Sequence, residues 1–169
     1  FSTSLNFVGT ILATANLGSG YNSNPGDNYY NPSESRIYSF DNGWNQLGAD
    51  IIGEDGDDYT HNVRMISINN TGDMVAISGE HLYDSIPGSG FVRVYNFDSI
   101  IQDWNQLGND VVGNEYDDSA YVSISGSSNT IAVGSAASDV NANNSGHVSV
   151  FDLQCEEESV YGCTDVSAC

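Results

Sequence analysis

The chain has 169 residues, 39% hydrophobic and 11% aromatic, enough apolar content to bury a core and too much for a disordered acidic tail. Its 23 Asp and Glu side chains face only Arg36, Arg64 and Arg93, and a formal net charge of −20 repels phosphate backbones and anionic headgroups, which excludes nucleic acid and membrane surfaces as partners. No stretch approaches the roughly 20 apolar residues of a spanning helix, so no membrane insertion is expected.

The chain starts at Phe1 instead of Met, which reads as a processed protein or a piece of a longer one. Short period-2 runs then follow one another, and nothing has helical periodicity. Ser4-Leu5-Asn6-Phe7 is the first run and Gly9-Thr10-Ile11-Leu12-Ala13-Thr14 the second. A long loop with Pro25 and Pro32 separates them from the alternating strand Arg36-Ile37-Tyr38-Ser39-Phe40. Residues 44–50 spell WNQLGAD, followed by Ile51-Ile52-Gly53 and an acidic loop. Then come Val63-Arg64-Met65-Ile66-Ser67-Ile68, a turn, Met74-Val75-Ala76-Ile77-Ser78, and Phe91-Val92-Arg93-Val94-Tyr95-Asn96-Phe97.

Residues 104–110 repeat the phrase as WNQLGND, again followed by an apolar pair and Gly, Val111-Val112-Gly113, and an acidic loop. Tyr121-Val122-Ser123-Ile124-Ser125, Thr130-Ile131-Ala132-Val133-Gly134 and His147-Val148-Ser149-Val150-Phe151 complete the pattern. Ala13, Ala76 and Ala132 align, as do Tyr38, Tyr95 and Phe151. Self-similarity at a fixed period marks a repeat architecture. The copies run over about 1–43, 44–103 and 104–154, and residues 155–169 form an acidic, Cys-containing tail that starts another module. Three strands plus the Trp-x-Gln-Leu segment per unit is the content of a four-stranded β-propeller blade, so the expected class is all-β, with about three propeller-like blades, the last incomplete. In that reading the Trp packs between sheets, the Leu-Gly pair turns the chain, and Arg36 and Arg93 each neutralise a carboxylate or stack on an aromatic ring.

The phrase with its flanks, residues 44–54 with Val75-Ala76-Ile77-Ser78-Gly79, and residues 104–113 with Ile131-Ala132-Val133-Gly134, resembles the FG-GAP repeats of integrin alpha-subunit propellers. It is more similar still to the W-x-Q-L-G-x-D-I-x-G-E repeats of large secreted proteins of marine bacteria and algae. The tail, Tyr161-Gly162-Cys163-Thr164-Asp165 with Ala168-Cys169, resembles small Cys-containing modules that follow adhesive repeats in such proteins. Both resemblances imply extracellular, non-enzymatic proteins. Integrin-type repeats carry a D-x-D-x-D-G calcium loop between their second and third strands. The matching turns here, at residues 6–9, 69–73 and 126–129, hold a single acid, Asp73, so that calcium site is expected to be lost.

Candidate sites lie in the loops. Glu54, Asp55, Asp57 and Asp58, and at the same place in the next copy Glu115, Asp117 and Asp118, are either calcium ligands or a solvated acidic rim. Tyr21, Tyr29 and Tyr30 suit sugar or protein contacts, or simply pack a long surface loop. Asn69-Asn70-Thr71 and Asn143-Asn144-Ser145 are glycosylation sequons at Asn69 and Asn143. Cys155, Cys163 and Cys169 allow one disulfide with one thiol left over, or remain as three reduced thiols. No lysine, no G-x-S-x-G elbow and no Ser placed beside His61, His81 or His147 leaves no catalytic residue to name, and the chain is expected not to be an enzyme.

The resulting expectation is an extracellular structural or adhesive repeat module, a building block of a surface or filamentous assembly. About three units cannot close a propeller, so copies would complete each other's sheets through an open edge as a homo-oligomer or filament, unless the chain belongs to a longer propeller or an open solenoid. The alternative is a calcium-dependent or sugar-binding module, with calcium as its cofactor and glycans as partners, and behind it a carbohydrate-active enzyme.

Overall fold

The computed structural model describes residues 1–16, 33–52, 61–81, 90–113, 120–136, 138–139 and 142–153. These form thirteen strands: β1 (Ser2–Leu5), β2 (Ile11–Asn16), β3 (Glu34–Phe40), β4 (Trp44–Gln46), β5 (Ile51–Ile52), β6 (His61–Ile68), β7 (Met74–His81), β8 (Gly90–Asp98), β9 (Asp103–Gln106), β10 (Val111–Val112), β11 (Ala120–Ile124), β12 (Thr130–Ser135) and β13 (His147–Asp152). Among the described residues there is no helix, and so none long and apolar enough to cross a membrane.

The strands make three antiparallel sheets, none closed into a barrel. The first runs β1–β2–β3–β4, the second β6–β7–β8–β9, and the third β11–β12–β13. The repeated phrase therefore supplies the outer strand of the sheet before it, β4 on β3 and β9 on β8. The apolar pair behind it was not expected to pair, yet β5 also bonds β3 and β10 also bonds β8. The outer strand is thus one segment interrupted by a loop. Residues 47–50 and 107–110 leave the ladder and return to it, so the sheets divide between β5 and β6 and between β10 and β11, not at Trp44 and Trp104.

Alternation along the strands explains why the sheets stack. In β7, Val75 and Ile77 enter a core shared with Ala13, Ala15 and Ile37 of the first sheet. Ala76, one residue out of phase, enters a second core with Val122, Ile124, Ile131 and Val133 of the third. Successive strand residues point to opposite faces, so a sheet apolar on both faces must be covered on both. The second sheet is consequently held between the other two. β6 carries a bulge between Val63 and Met65 that places Arg64 on the exposed side.

Candidate functional site

The two copies of the phrase touch each other. Trp104, from the second copy, is 9% exposed and donates its indole N–H to the Leu47 carbonyl of the first at 2.8 Å. The Asp103 carboxylate accepts the Ala49 N–H at 2.9 Å and the Trp104 N–H at 2.9 Å. Gly48 has a positive φ of 77° and lies under the ring, where an added Cβ would stand 2.6 Å from Trp104 Cδ1. Leu47-Gly48-Ala49 is a socket for the next sheet's Trp. Trp44, which meets no other sheet among the described residues, is 46% exposed and meets Phe40 edge-on with centroids 5.3 Å apart.

The rest of the phrase shapes the socket loop. Asp50 accepts from Arg36 Nε at 3.0 Å and Nη2 at 2.9 Å, and from Gln46 Nε2 at 2.6 Å. Gln46 Nε2 also donates to the Gly48 carbonyl at 3.2 Å. In the next sheet Asp110 accepts from Arg93 at 2.8 Å and Gln106 at 2.8 Å in the same way. Arg93 also lies 5.2 Å over the Phe91 ring, so the Arg reading from sequence holds in both its forms.

The turns at residues 6–9, 69–73 and 126–129 are tied by side-chain amides and hydroxyls. Asn6 Oδ1 accepts from Thr10 N at 2.8 Å and Ile11 N at 2.9 Å, Asn69 Oδ1 from Gly72 N at 2.8 Å and Met74 N at 3.2 Å, and Ser125 Oγ from Thr130 N at 3.1 Å. Asn69 Nδ2 donates to Thr71 Oγ1 at 2.8 Å, to Asp73 Oδ1 at 2.6 Å, and to Ser128 Oγ of the third sheet. Asn69 is 1% exposed. Its Nδ2 is the atom a glycan would occupy, and the folded chain uses it as a turn organiser. Asn143 is exposed in its turn, where its Oδ1 accepts from Asn144 Nδ2 at 2.9 Å.

Three carboxyls are held below their ordinary value. For Asp50 the bond from Arg36 dominates, followed by the one from Gln46. For Asp103 the cause is the two backbone N–H groups, Ala49 first. Burial pushes Asp73 up, but bonds from the Thr71 hydroxyl, the Asn69 amide and its own backbone outweigh it. The stability these groups confer is complete above the ordinary carboxylate value of about 3.9 and lost as pH falls through the lowered folded values. Melting temperature should therefore drop through the acid range, and Asp103→Asn should flatten that limb. An unchanged limb in Asp103→Asn would show that the clasp contributes nothing.

Across each sheet, one row of residues points to the following sheet and the adjacent row to the preceding one. The forward rows are Ser4–Ala13–Ile37, Ser67–Ala76–Val94 and Ser123–Ala132–Val150. The backward rows are Leu5–Leu12–Tyr38, Ile68–Val75–Tyr95 and Ile124–Ile131–Phe151. Forward serines bind the next sheet's inner strand: Ser2 and Ser4 hydroxyls accept the N–H groups of Ile66 and Ile68 at 3.2 Å, and Ser67 accepts that of Ile124 at 3.1 Å. A recurring Ser at one strand position was the sequence signal for this ladder, and it went unread.

Both ends of the stack leave such a row open. On the third sheet Val148 and Val150 are 70% and 67% exposed, with Tyr121 and Ser123 beside them. On the first sheet Leu5, Phe40 and Trp44 are exposed. The acidic loops (Glu54, Asp55, Asp57, Asp58; Glu115, Asp117, Asp118), the tyrosines (Tyr21, Tyr29, Tyr30) and the cysteines (Cys155, Cys163, Cys169) lie outside the described residues. Among the described residues no group of three or more His, Cys, Asp or Glu side chains is placed to hold a metal ion. The geometry that remains is one of surfaces and sockets. Comparison with protein-family models and with curated proteins finds no match to this chain.

Proposed function

We propose that the chain is a run of β-propeller-type repeats with a structural or adhesive role outside the cell, without catalysis, and that it acts as a building block of a larger assembly. The observation that carries this reading is the pair of open end rows: faces buried between sheets within the chain recur, uncovered among the described residues, on the first and third sheets. Three supporting facts point the same way. Each sheet docks on the next through a shared apolar core and serine hydroxyls that recur from sheet to sheet. β13 is an edge strand among the described residues, at the place where β4 and β9 complete the other sheets. The charge of −20 keeps such a protein soluble and suits a cation-rich exterior.

Negative-stain imaging with light scattering on the native secreted material tests it, combined with calcium and glycan titration. Rings or filaments of regular thickness with no saturable ligand are the expected result. A compact monomer that binds calcium or a sugar stoichiometrically would replace this reading with that of a ligand-binding module.

A further inference from the structure

We infer that a second copy of this chain seats its first sheet on the open face of the third, head to tail, by the contacts already used twice inside the chain. The inference rests on the structural reading proposed above and names its partner and surface.

The argument is one of continuity. Ser4–Ala13–Ile37 is covered by the second sheet and Ser67–Ala76–Val94 by the third, and in both rows the Ala and the aliphatic side chain are buried. The third row has the same chemistry at the same register, Ser123–Ala132–Val150, and nothing described covers it. What such a row accepts is known from the two covered cases: an inner strand whose N–H groups reach the serine, and large side chains that fill the space over the alanine. The first sheet presents this counterpart. Leu5 stands where Ile68 and Ile124 stand, Leu12 where Val75 and Ile131 stand, and Tyr38 where Tyr95 and Phe151 stand.

In the docked pair the Leu5 N–H donates to the Ser123 hydroxyl, and Leu5 and Leu12 cover Ala132 and Val150. The two rows carry no charged side chain, so the strong negative charge opposes docking only through the screened long-range field, and added salt strengthens it. Because the two faces differ, the contact is heterologous. It either closes on itself, and two copies joined at both ends give six sheets, within the usual range of about four to eight for a propeller, or it continues as a filament.

The test is sedimentation velocity on the full chain and on Val150→Asp and Leu5→Asp, at moderate salt. Both positions are exposed in the free chain, so each variant should keep the circular dichroism spectrum of the folded strands and lose only the concentration-dependent part of its melting. Wild type is expected as dimer or larger, and each variant as monomer, since burying an unpaired carboxylate should weaken association at least about 100-fold. An equimolar mixture of the two variants retains one intact pair of faces and should form a heterodimer that grows no further. Assemblies that persist in both variants, or a mixture that stays monomeric while wild type assembles, would overturn face docking and leave the structural reading standing. A wild-type chain that is monomeric and titrates with calcium or glycan would remove both.

Discussion

Trp104→Ala is expected to cost the fold about 3–5 kcal/mol, while Trp44→Ala, the same change in a nearly identical heptapeptide, costs about 1 kcal/mol or less. The difference comes from position in the stack. Trp104 is wedged between the first and second sheets against Leu47 and Gly48, and it packs on Phe97 with centroids 5.2 Å apart. Its removal opens a cavity and leaves the Leu47 carbonyl without its donor. Trp44 is half exposed and loses mainly an edge contact with Phe40. Since small domains are stable by only about 5–15 kcal/mol, the first variant should unfold at much lower urea, or lose the docking of the first sheet before the rest. Urea titration followed by circular dichroism measures both, and Trp104→Phe, which keeps much of the packing but not the N–H, should fall between. Equal losses for Trp44→Ala and Trp104→Ala would sink the wedge.

That contrast also marks how far the sequence could be read. The strands and their grouping were legible because period-2 runs with small turns between them permit little else, and because Ala13, Ala76 and Ala132 announce a repeat. That the phrase adds a fourth strand to three was legible too, from its content. Its two halves were not separable by sequence. The Trp reads from sequence as packing between sheets, as Trp104 does, but Leu-Gly reads only as a chain turn, whereas it is also the socket of one copy for the Trp of the other. Composition does not say which copy a side chain will meet; that depends on the stacking order. The same limit hid Ser4 and Ser67, whose hydroxyls look like ordinary strand polarity until a neighbouring strand brings N–H groups to them. It also hid the structural role of Asn69, since three residues of sequon cannot report that the amide is enclosed by a turn and by Ser128 of the next sheet.

Asn69 carries the second large effect. Asn69→Ala should cost about 2–4 kcal/mol, because the Gly72 and Met74 N–H groups and the Asp73 and Ser128 side chains all lose a partner at a buried point between sheets. Asn69→Asp separates the amide's two functions. It keeps the acceptor for Gly72 and Met74 but replaces the donor with a second carboxyl beside Asp73, and burial with a like charge raises the pKa of that new group. The sign of the pH dependence then reverses locally. In the wild type the lowered Asp73 makes stability fall as the pH drops through its folded value. In Asn69→Asp the folded state binds a proton more tightly than the unfolded state does, so the variant is weakest near neutrality and regains stability as the pH falls through the raised value. Melting curves of the two proteins should converge toward acid. Parallel curves would mean that the new carboxyl is not raised at this turn, and coincident curves that the amide donor does nothing there, leaving the Asn70 N–H to Gly126 carbonyl bond of 3.1 Å, the Ser67–Ile124 bond and the shared core to link the second and third sheets.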